Sequence, residues 1–272
     1  MLLTRLPEGE SMASPRSHCR NCAHTLAWWE NIPLLSWLLL RGRCRNCRAW
    51  IGLRYPLIEL SIGVLWTACW LRFGDPLFSP DLRHAAPHPL AHALAGLFGY
   101  AILCWMLVAL AALDAEHFWL PDRLTLPGIG LGLTFTLLLS WSQTPSHRTI
   151  DWLSELWSRL LETLISAGLV LGIRLAYWLF RRKEGMGLGD AKLMAMVGAW
   201  LGLLCALESF ALAVLGATMA ALVWLVMRAL RGKAREWARM PLPLGTFICL
   251  GALSQVFYPD WPWTAWSSVL LP

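Results

Sequence analysis

Charge is scarce in this sequence: 15% of its 272 residues are Asp, Glu, Lys or Arg, while 57% are hydrophobic. A soluble domain of this size carries about 25% charged and about 45–50% apolar residues. So large an apolar excess excludes an ordinary water-soluble globule and calls for a bilayer to cover it. Tyrosine is sparse at 4 residues, but tryptophan is abundant at 18, and indole rings favour the membrane–water boundary. The opening Met-Leu-Leu-Thr-Arg-Leu-Pro lacks the apolar core of a secretory signal, so the N-terminal segment is expected to stay in the cytoplasm. No internal repeat or low-complexity segment is evident.

Residues 1–56 are polar, textured by Cys, Arg, Asn and Pro. Beyond them the pattern predicts an all-α integral membrane protein with about seven spans, at 57–73, 94–113, 124–141, 160–180, 191–207, 209–230 and 243–258. A span needs about 17–25 residues, so the last is short. The tail Trp261-Pro-Trp-Thr-Ala-Trp266 reads as an aromatic anchor at an interface. With residues 1–56 cytoplasmic and the spans alternating, Arg72, Arg83, Arg148 and Arg159 fall on the far side and Arg174 inside a span. The other 18 of the 23 basic residues lie on the cytoplasmic side, as the positive-inside rule requires. The net charge of +6 is thus mostly topology and implies lipid contact, with no nucleic-acid surface.

Two carboxylates stand out. The apolar run Ala101–Leu113 ends in Asp114, and the fourth span leads through Arg181-Arg-Lys-Glu-Gly-Met-Gly-Leu-Gly-Asp190-Ala-Lys192 into the fifth. The topology puts both aspartates at one depth on the cytoplasmic side. Two facing carboxyl groups share one proton. The ionised partner can then activate water while the protonated one polarises a carbonyl, which is aspartic peptide hydrolysis. Gly185, Gly187 and Gly189 are expected to allow close backbone approach and unusual dihedrals ahead of Asp190. Taken singly, Asp190 is explained as a helix cap and Asp114 as an interfacial acid; their common depth favours the pair. Asp122, after Pro121, is read as a cap of the third span, and Lys192 as a partner for a carboxylate or for lipid headgroups. His117 is read as a solvated loop residue.

Cys19-Arg-Asn-Cys22 and Cys44-Arg-Asn-Cys47 form two CxxC pairs, the ligand set of a structural zinc ribbon. A reducing cytoplasm argues against disulfides, and the neighbouring arginines are expected to lower the thiol pKa values. Cys69, Cys104, Cys205 and Cys249 lie in apolar stretches and read as small buried hydrophobes.

These residues resemble the bacterial type IV prepilin peptidases. The string Asn31-Ile-Pro-Leu-Leu-Ser-Trp through Cys44 is similar to the family's segment between its Cys pairs, and Arg54-Tyr-Pro-Leu-Ile-Glu59 to the stretch entering its next helix. Asp114 matches the first catalytic aspartate, and Gly187-Leu-Gly-Asp190-Ala-Lys192 matches the GxGDxK signature carrying the second. The resemblance runs from about Leu3 to about Gly251. It implies catalytic Asp114 and Asp190 supported by Gly187, Gly189 and Lys192, and a metal module of Cys19, Cys22, Cys44 and Cys47. The substrates implied are prepilins and type II secretion pseudopilins, whose basic leader is cut at the cytoplasmic face of the inner membrane. N-methylation of the new N-terminus would follow, with S-adenosylmethionine as donor. Residues 1–56 would be the methyltransferase-associated cytoplasmic module and 57–272 the peptidase domain. Arg181–Lys183 would anchor lipid, since a basic leader repels them.

The family's first membrane helix is expected to be missing, because this chain starts at its Arg-Leu-Pro, within Leu3–Pro7. Glu116 stands where many members have Asp. Pro243-Leu-Gly-Thr-Phe stands where the family tends to show Pro-Phe-Gly-Pro; neither change removes a residue needed for cleavage. An inactive assembly factor of the same family is the alternative, distinguished by binding prepilins without cutting them. Arg174 and Glu162, within or beside a span, motivate a transporter, although no paired broken helices accompany them.

Overall fold

The computed structural model describes residues 5–6, 16–74, 88–143, 152–183, 185–230 and 242–258. The expected aromatic anchor at Trp261–Trp266 lies outside the described residues, as do Leu3, Thr4 and Pro7. Among the described residues the chain is helical, with two isolated β-bridges and no strand. It divides into two compact units, Met1–Trp70 and Leu71–Pro272.

The first unit holds a 3-10 turn at Trp28–Asn31, the short helix α1 (Leu35–Leu39) and most of α2 (Arg54–Phe73). Ahead of α1 the Leu34 N–H donates to Glu59 Oε2 at 2.8 Å, which ties this loop to α2. Behind it Gly42 takes φ +67°, and a Cβ there would stand 2.8 Å from both the Trp37 and Trp50 rings. Only glycine turns the chain at that spot. The two indoles pack edge to face at 5.9 Å, and Trp37 Nε1 donates to Ile51 O.

The second unit contains α3 (Pro89–His117), α4 (Asp122–Gln143), α5 (Trp152–Arg181), α6 (Leu188–Leu201), α7 (Leu203–Leu230) and α8 (Leu244–Phe257). Among the described residues, five helices, α2, α3, α4, α5 and α7, are long and apolar enough to cross a membrane. The chain is a multi-pass membrane protein. The expected fifth span, 191–207, does not form as one helix. Gly202 takes φ +85° and ends α6 at Leu201, in a corner where Arg159 and Glu162 would crowd any Cβ at 2.9 and 3.2 Å. At 14 residues each, α6 and α8 reach about 21 Å at 1.5 Å per residue. That falls short of a hydrocarbon core about 30 Å thick; α6 thus differs from the full span expected at 191–207, while α8 is short, as its expected range 243–258 already was.

The centre of this unit is α6, which packs on α4, α5, α7 and α8; every residue from Leu193 to Trp200 is buried. A helix apolar on all sides belongs inside a bundle. Trp200, unlike the interfacial tryptophans expected, is interior, and its Nε1 donates to Gly128 O at 2.8 Å. Thr136 Oγ1 reaches Ala199 O at 3.0 Å, so α4 and α6 are joined by polar as well as apolar contact. Rings Phe73, Tyr100, Phe135 and Trp200 follow one another in contact, stacked at 4.6 Å, edge to face at 5.0 Å and tilted at 4.9 Å.

Small residues allow the closest crossings, as in other membrane bundles. A Cβ at Gly251 would stand 2.5 Å from the Ser209 carbonyl oxygen, whereas one at Gly172 would meet nothing within 4 Å. Gly172→Ala is therefore expected to stabilise the protein by about 0.5–1 kcal/mol through helix propensity. Gly251→Ala is expected to destabilise it by about 1–3 kcal/mol despite the same propensity gain. Unfolding of the two variants in detergent measures both, and equal signs would refute the packing.

Candidate active site and metal centre

On α3, Leu103, Leu107 and Leu110 are fully buried, and the next position on that face is Asp114. Its side chain is 5% exposed. One turn on, Phe118 takes the left-handed conformation and its N–H bonds to Asp114 O at 2.9 Å, closing the helix. The chain then turns through Leu120 and Pro121, both buried, into α4.

The Asp114 carboxylate meets the start of α8. Oδ2 accepts the Thr246 N–H at 2.6 Å and the Thr246 hydroxyl at 3.1 Å, and the Gly245 N–H is also directed at it. The first N–H groups of a helix have no partner within it and carry the positive end of its dipole. A buried carboxylate supplies the missing acceptor. Gly245 makes the approach possible, since a Cβ there would stand 2.9 Å from Asp114 Oδ2 and 3.0 Å from Leu120 Cδ1. Thr246 and Gly245 belong to the Pro243–Phe247 segment that sequence reasoning left outside the site. Its signal was a glycine and a hydroxyl residue opening the last apolar run.

Asp190 is the third residue of α6 and is half-buried. Its Oδ2 accepts the Gly187 N–H at 3.3 Å, so it does cap its own helix. It is also within electrostatic reach of Asp114, and both lie within such reach of the buried Cys249 of α8. Leu120 touches both helix starts: a Cβ at Gly189 would stand 3.0 Å from Leu120 Cβ, and one at Gly245 3.0 Å from Leu120 Cδ1. The two aspartates expected at one depth are thus brought to one place, each at a helix N-terminus.

The glycines act differently from the expectation. Among the described residues the positive-φ glycines are Gly42 and Gly202, so Gly185, Gly187 and Gly189 adopt no unusual dihedral. Close approach holds for Gly189 and for Gly185, where a Cβ would meet the Tyr177 ring at 2.6 Å. At Gly187 the nearest atom would be Asp190 Oδ2 at an ordinary 3.5 Å. Lys192 touches neither aspartate of the pair; its Nζ bonds Asp122 Oδ1 at 2.6 Å and joins the starts of α6 and α4. His117 is exposed and lies 3.8 Å from Glu116.

In the first unit, Cys19, Cys22, Cys44 and Cys47 place their Sγ atoms within 4.8 Å of one another. Cys19–Cys47 is 3.8 Å and Cys22–Cys44 is 4.0 Å. Sulfurs about 2.3 Å from a tetrahedral ion are about 3.8 Å apart, so the cluster fits a metal ion. Each CxxC sits in a tight hairpin closed by a bridge, His18–Thr25 and Arg43–Trp50. Asn21 Nδ2 points at Cys47 Sγ and Asn46 Nδ2 at Cys22 Sγ, both at 3.6 Å. The Ala49 N–H and the Asn21 amide lower the Cys47 thiol to about 6, whereas burial pushes Cys19 up to about 11. The arginines expected to lower these values are not the cause; Arg45, for one, lies over the Trp29 ring. Cys69, Cys104 and Cys249 are buried as expected, and Cys205 is half-buried.

Comparison with known proteins bears on both sites. Residues 1–73 match the Bacterial Peptidase A24 N-terminal domain and residues 101–226 the Type IV leader peptidase family. Among curated proteins named prepilin leader peptidase/N-methyltransferase, one from Burkholderia pseudomallei is 36% identical over 253 residues, covering 93% of this chain and 70% of the relative. Another from Stutzerimonas stutzeri is 35% identical over 257 residues, covering 90% and 73%. A third, from Pseudomonas aeruginosa, is 33% identical over 261 residues, covering 92% and 74%. No solved structure matches significantly. Identity at this level across most of both chains, together with the two family matches, means that the chain belongs to the type IV leader peptidase family.

Proposed function

We propose that this chain is an aspartic endopeptidase of the bacterial inner membrane, with its active site facing the cytoplasm. It removes the basic leader of type IV prepilins and type II secretion pseudopilins. The observation that carries the reading is the meeting of Asp114 and Asp190 beside Leu120, within electrostatic reach of one another. One carboxyl of such a pair keeps a proton and the other is ionised. The ionised group takes a proton from water as its oxygen attacks the scissile carbonyl. The protonated group donates to the carbonyl oxygen, and collapse of the tetrahedral intermediate passes a proton to the leaving amine. Thr246 and Gly245 orient Asp114, the Gly187 N–H orients Asp190, Gly189 lets α6 close on Leu120, and Lys192 fixes the start of α6 through Asp122.

The proposal divides the chain into a cytoplasmic module, 1–56, and a peptidase domain, 57–272. Cys19, Cys22, Cys44 and Cys47 would hold one zinc ion, whose contribution is to cross-link the two hairpins. Methylation of the new N-terminus, with S-adenosylmethionine as donor, would follow, as the relatives' name prepilin leader peptidase/N-methyltransferase suggests.

Asp114→Asn and Asp190→Asn keep shape and remove proton transfer, so each is expected to lower leader cleavage by about 10²–10⁴-fold. Gel mobility of a prepilin incubated with membranes reads this, and wild-type cleavage by either variant would sink the assignment. Binding of prepilin by a wild-type chain that leaves the leader intact would favour the inactive assembly factor instead. Thr246→Val removes one hydrogen bond to a charged group, and a loss of about tenfold is expected in the same assay; Thr246→Ser should restore it. Elemental analysis of the natively purified protein should give about one zinc per chain. Chelation should loosen the hairpins and change the emission of the first unit's tryptophans; a metal-free protein with the same spectrum would count against the zinc module.

A further inference from the structure

Arg174 is an arginine within the apolar body of α5, about two turns before its end at Arg181. A charge in such a position ordinarily has work to do. Its Nη1 donates a 2.6 Å hydrogen bond to the carbonyl oxygen of Met186. The N–H of that same peptide unit belongs to Gly187, and it donates to Asp190 Oδ2 at 3.3 Å. One planar amide is therefore held by a cation at its oxygen and by a carboxylate at its hydrogen. Charge-assisted bonds are the stronger kind, and bonds in series polarise one another: drawing density to the carbonyl oxygen makes the N–H a better donor.

A second contact fixes the same loop. Tyr177 follows Arg174 on one face of α5, and its ring lies so close to Gly185 that a Cβ there would stand 2.6 Å away. The end of α5 thus grips 185–187 at two points, immediately before the residue that carries the second carboxylate.

We propose that Arg174 is a positioning residue for Asp190, acting through the Met186–Gly187 peptide and not on substrate. The inference rests on the peptidase reading above. An arginine paired directly with Asp190 would hold that group as a carboxylate and take it out of proton sharing. An intervening peptide transmits orientation without that pairing.

The test uses the full chain in detergent, a prepilin substrate, and Arg174→Met, Arg174→Gln and Arg174→Lys beside wild type and Asp190→Asn. Arg174→Met should lower kcat by about tenfold or more, with KM moving less than about twofold. Arg174→Lys should recover most of the rate, and Arg174→Gln should fall between the two. Hydrogen exchange across 185–190 should rise by about tenfold in the Met variant and stay near wild type in the Lys variant. Wild-type kcat with unchanged exchange in Arg174→Met, a loss confined to KM, or a Lys variant as impaired as Met would each overturn the proposal. Should the Met variant not accumulate, Gln against Lys decides by the same measures. Cleavage by Asp190→Asn, or none by wild type, would sink the peptidase reading instead, and exchange at Gly187 would still decide whether Arg174 holds the loop.

Discussion

The 2.6 Å bond from the Thr246 N–H to Asp114 Oδ2 settles two costs at once. A carboxylate buried among leucines is expensive without donors, and so is a helix start whose first N–H groups lack acceptors. Neither α3 nor α8 solves its problem alone. Joined, the end of one helix becomes the cap of the other, and Gly245 is small enough to let them meet. The position of α8 and the rotamer of Asp114 are thus one decision. Removing the acid's acceptor or the threonine's donors disturbs the packing of α3 against α8.

Asp190 is held by the opposite strategy. Its partner N–H, from Gly187, lies in its own first turn, so its placement depends on where α6 begins. That start is pinned from several sides: Lys192 to Asp122, Gly189 against Leu120, and Met186 against Arg174. Behind it α6 is buried from Leu193 to Trp200, which leaves the helix little freedom to slide. One acid is fixed by a neighbouring helix and the other by the packing of its own.

This difference explains what could be read from the sequence. The apolar stretches, both aspartates and both cysteine pairs carry their own signals: hydropathy, an acid ending an apolar run, and ligand spacing. The partners carry weaker ones: Gly245 and Thr246 open the last apolar run, but Thr246 acts largely through a backbone N–H, which no residue type specifies. In α3 and α6 nearly every residue is apolar, so periodicity could not say which face Asp114 would share with Leu103 and Leu107. The break at Gly202 is hidden because glycine is ordinary in a membrane helix; the positive φ appears only where the Arg159–Glu162 pair fills the corner. Arg174 and Glu162 were visible as charges out of place, but their partners, Met186 O and Arg159, belong to a loop and to the same helix.

The cysteine centre shows the same limit at shorter range. The repeated Cys-Arg-Asn-Cys is visible in the sequence, but not that its two hairpins are copies in space. Cys19 and Cys44 each accept a backbone N–H from Ala23 and Arg48, and those residues take φ +54° and +57°. Glycine usually fills such left-handed positions; here the strain is carried by an alanine and an arginine, in both hairpins alike. Each asparagine serves the other hairpin's sulfur, so neither hairpin completes its own sulfur environment. Two half-sites that satisfy one another make a cradle alike in backbone, although burial raises the Cys19 thiol and the Ala49 N–H lowers that of Cys47. The acid pair has no such likeness: two carboxylates with unlike partners and unlike burial, the asymmetry that the proposed sharing of one proton calls for.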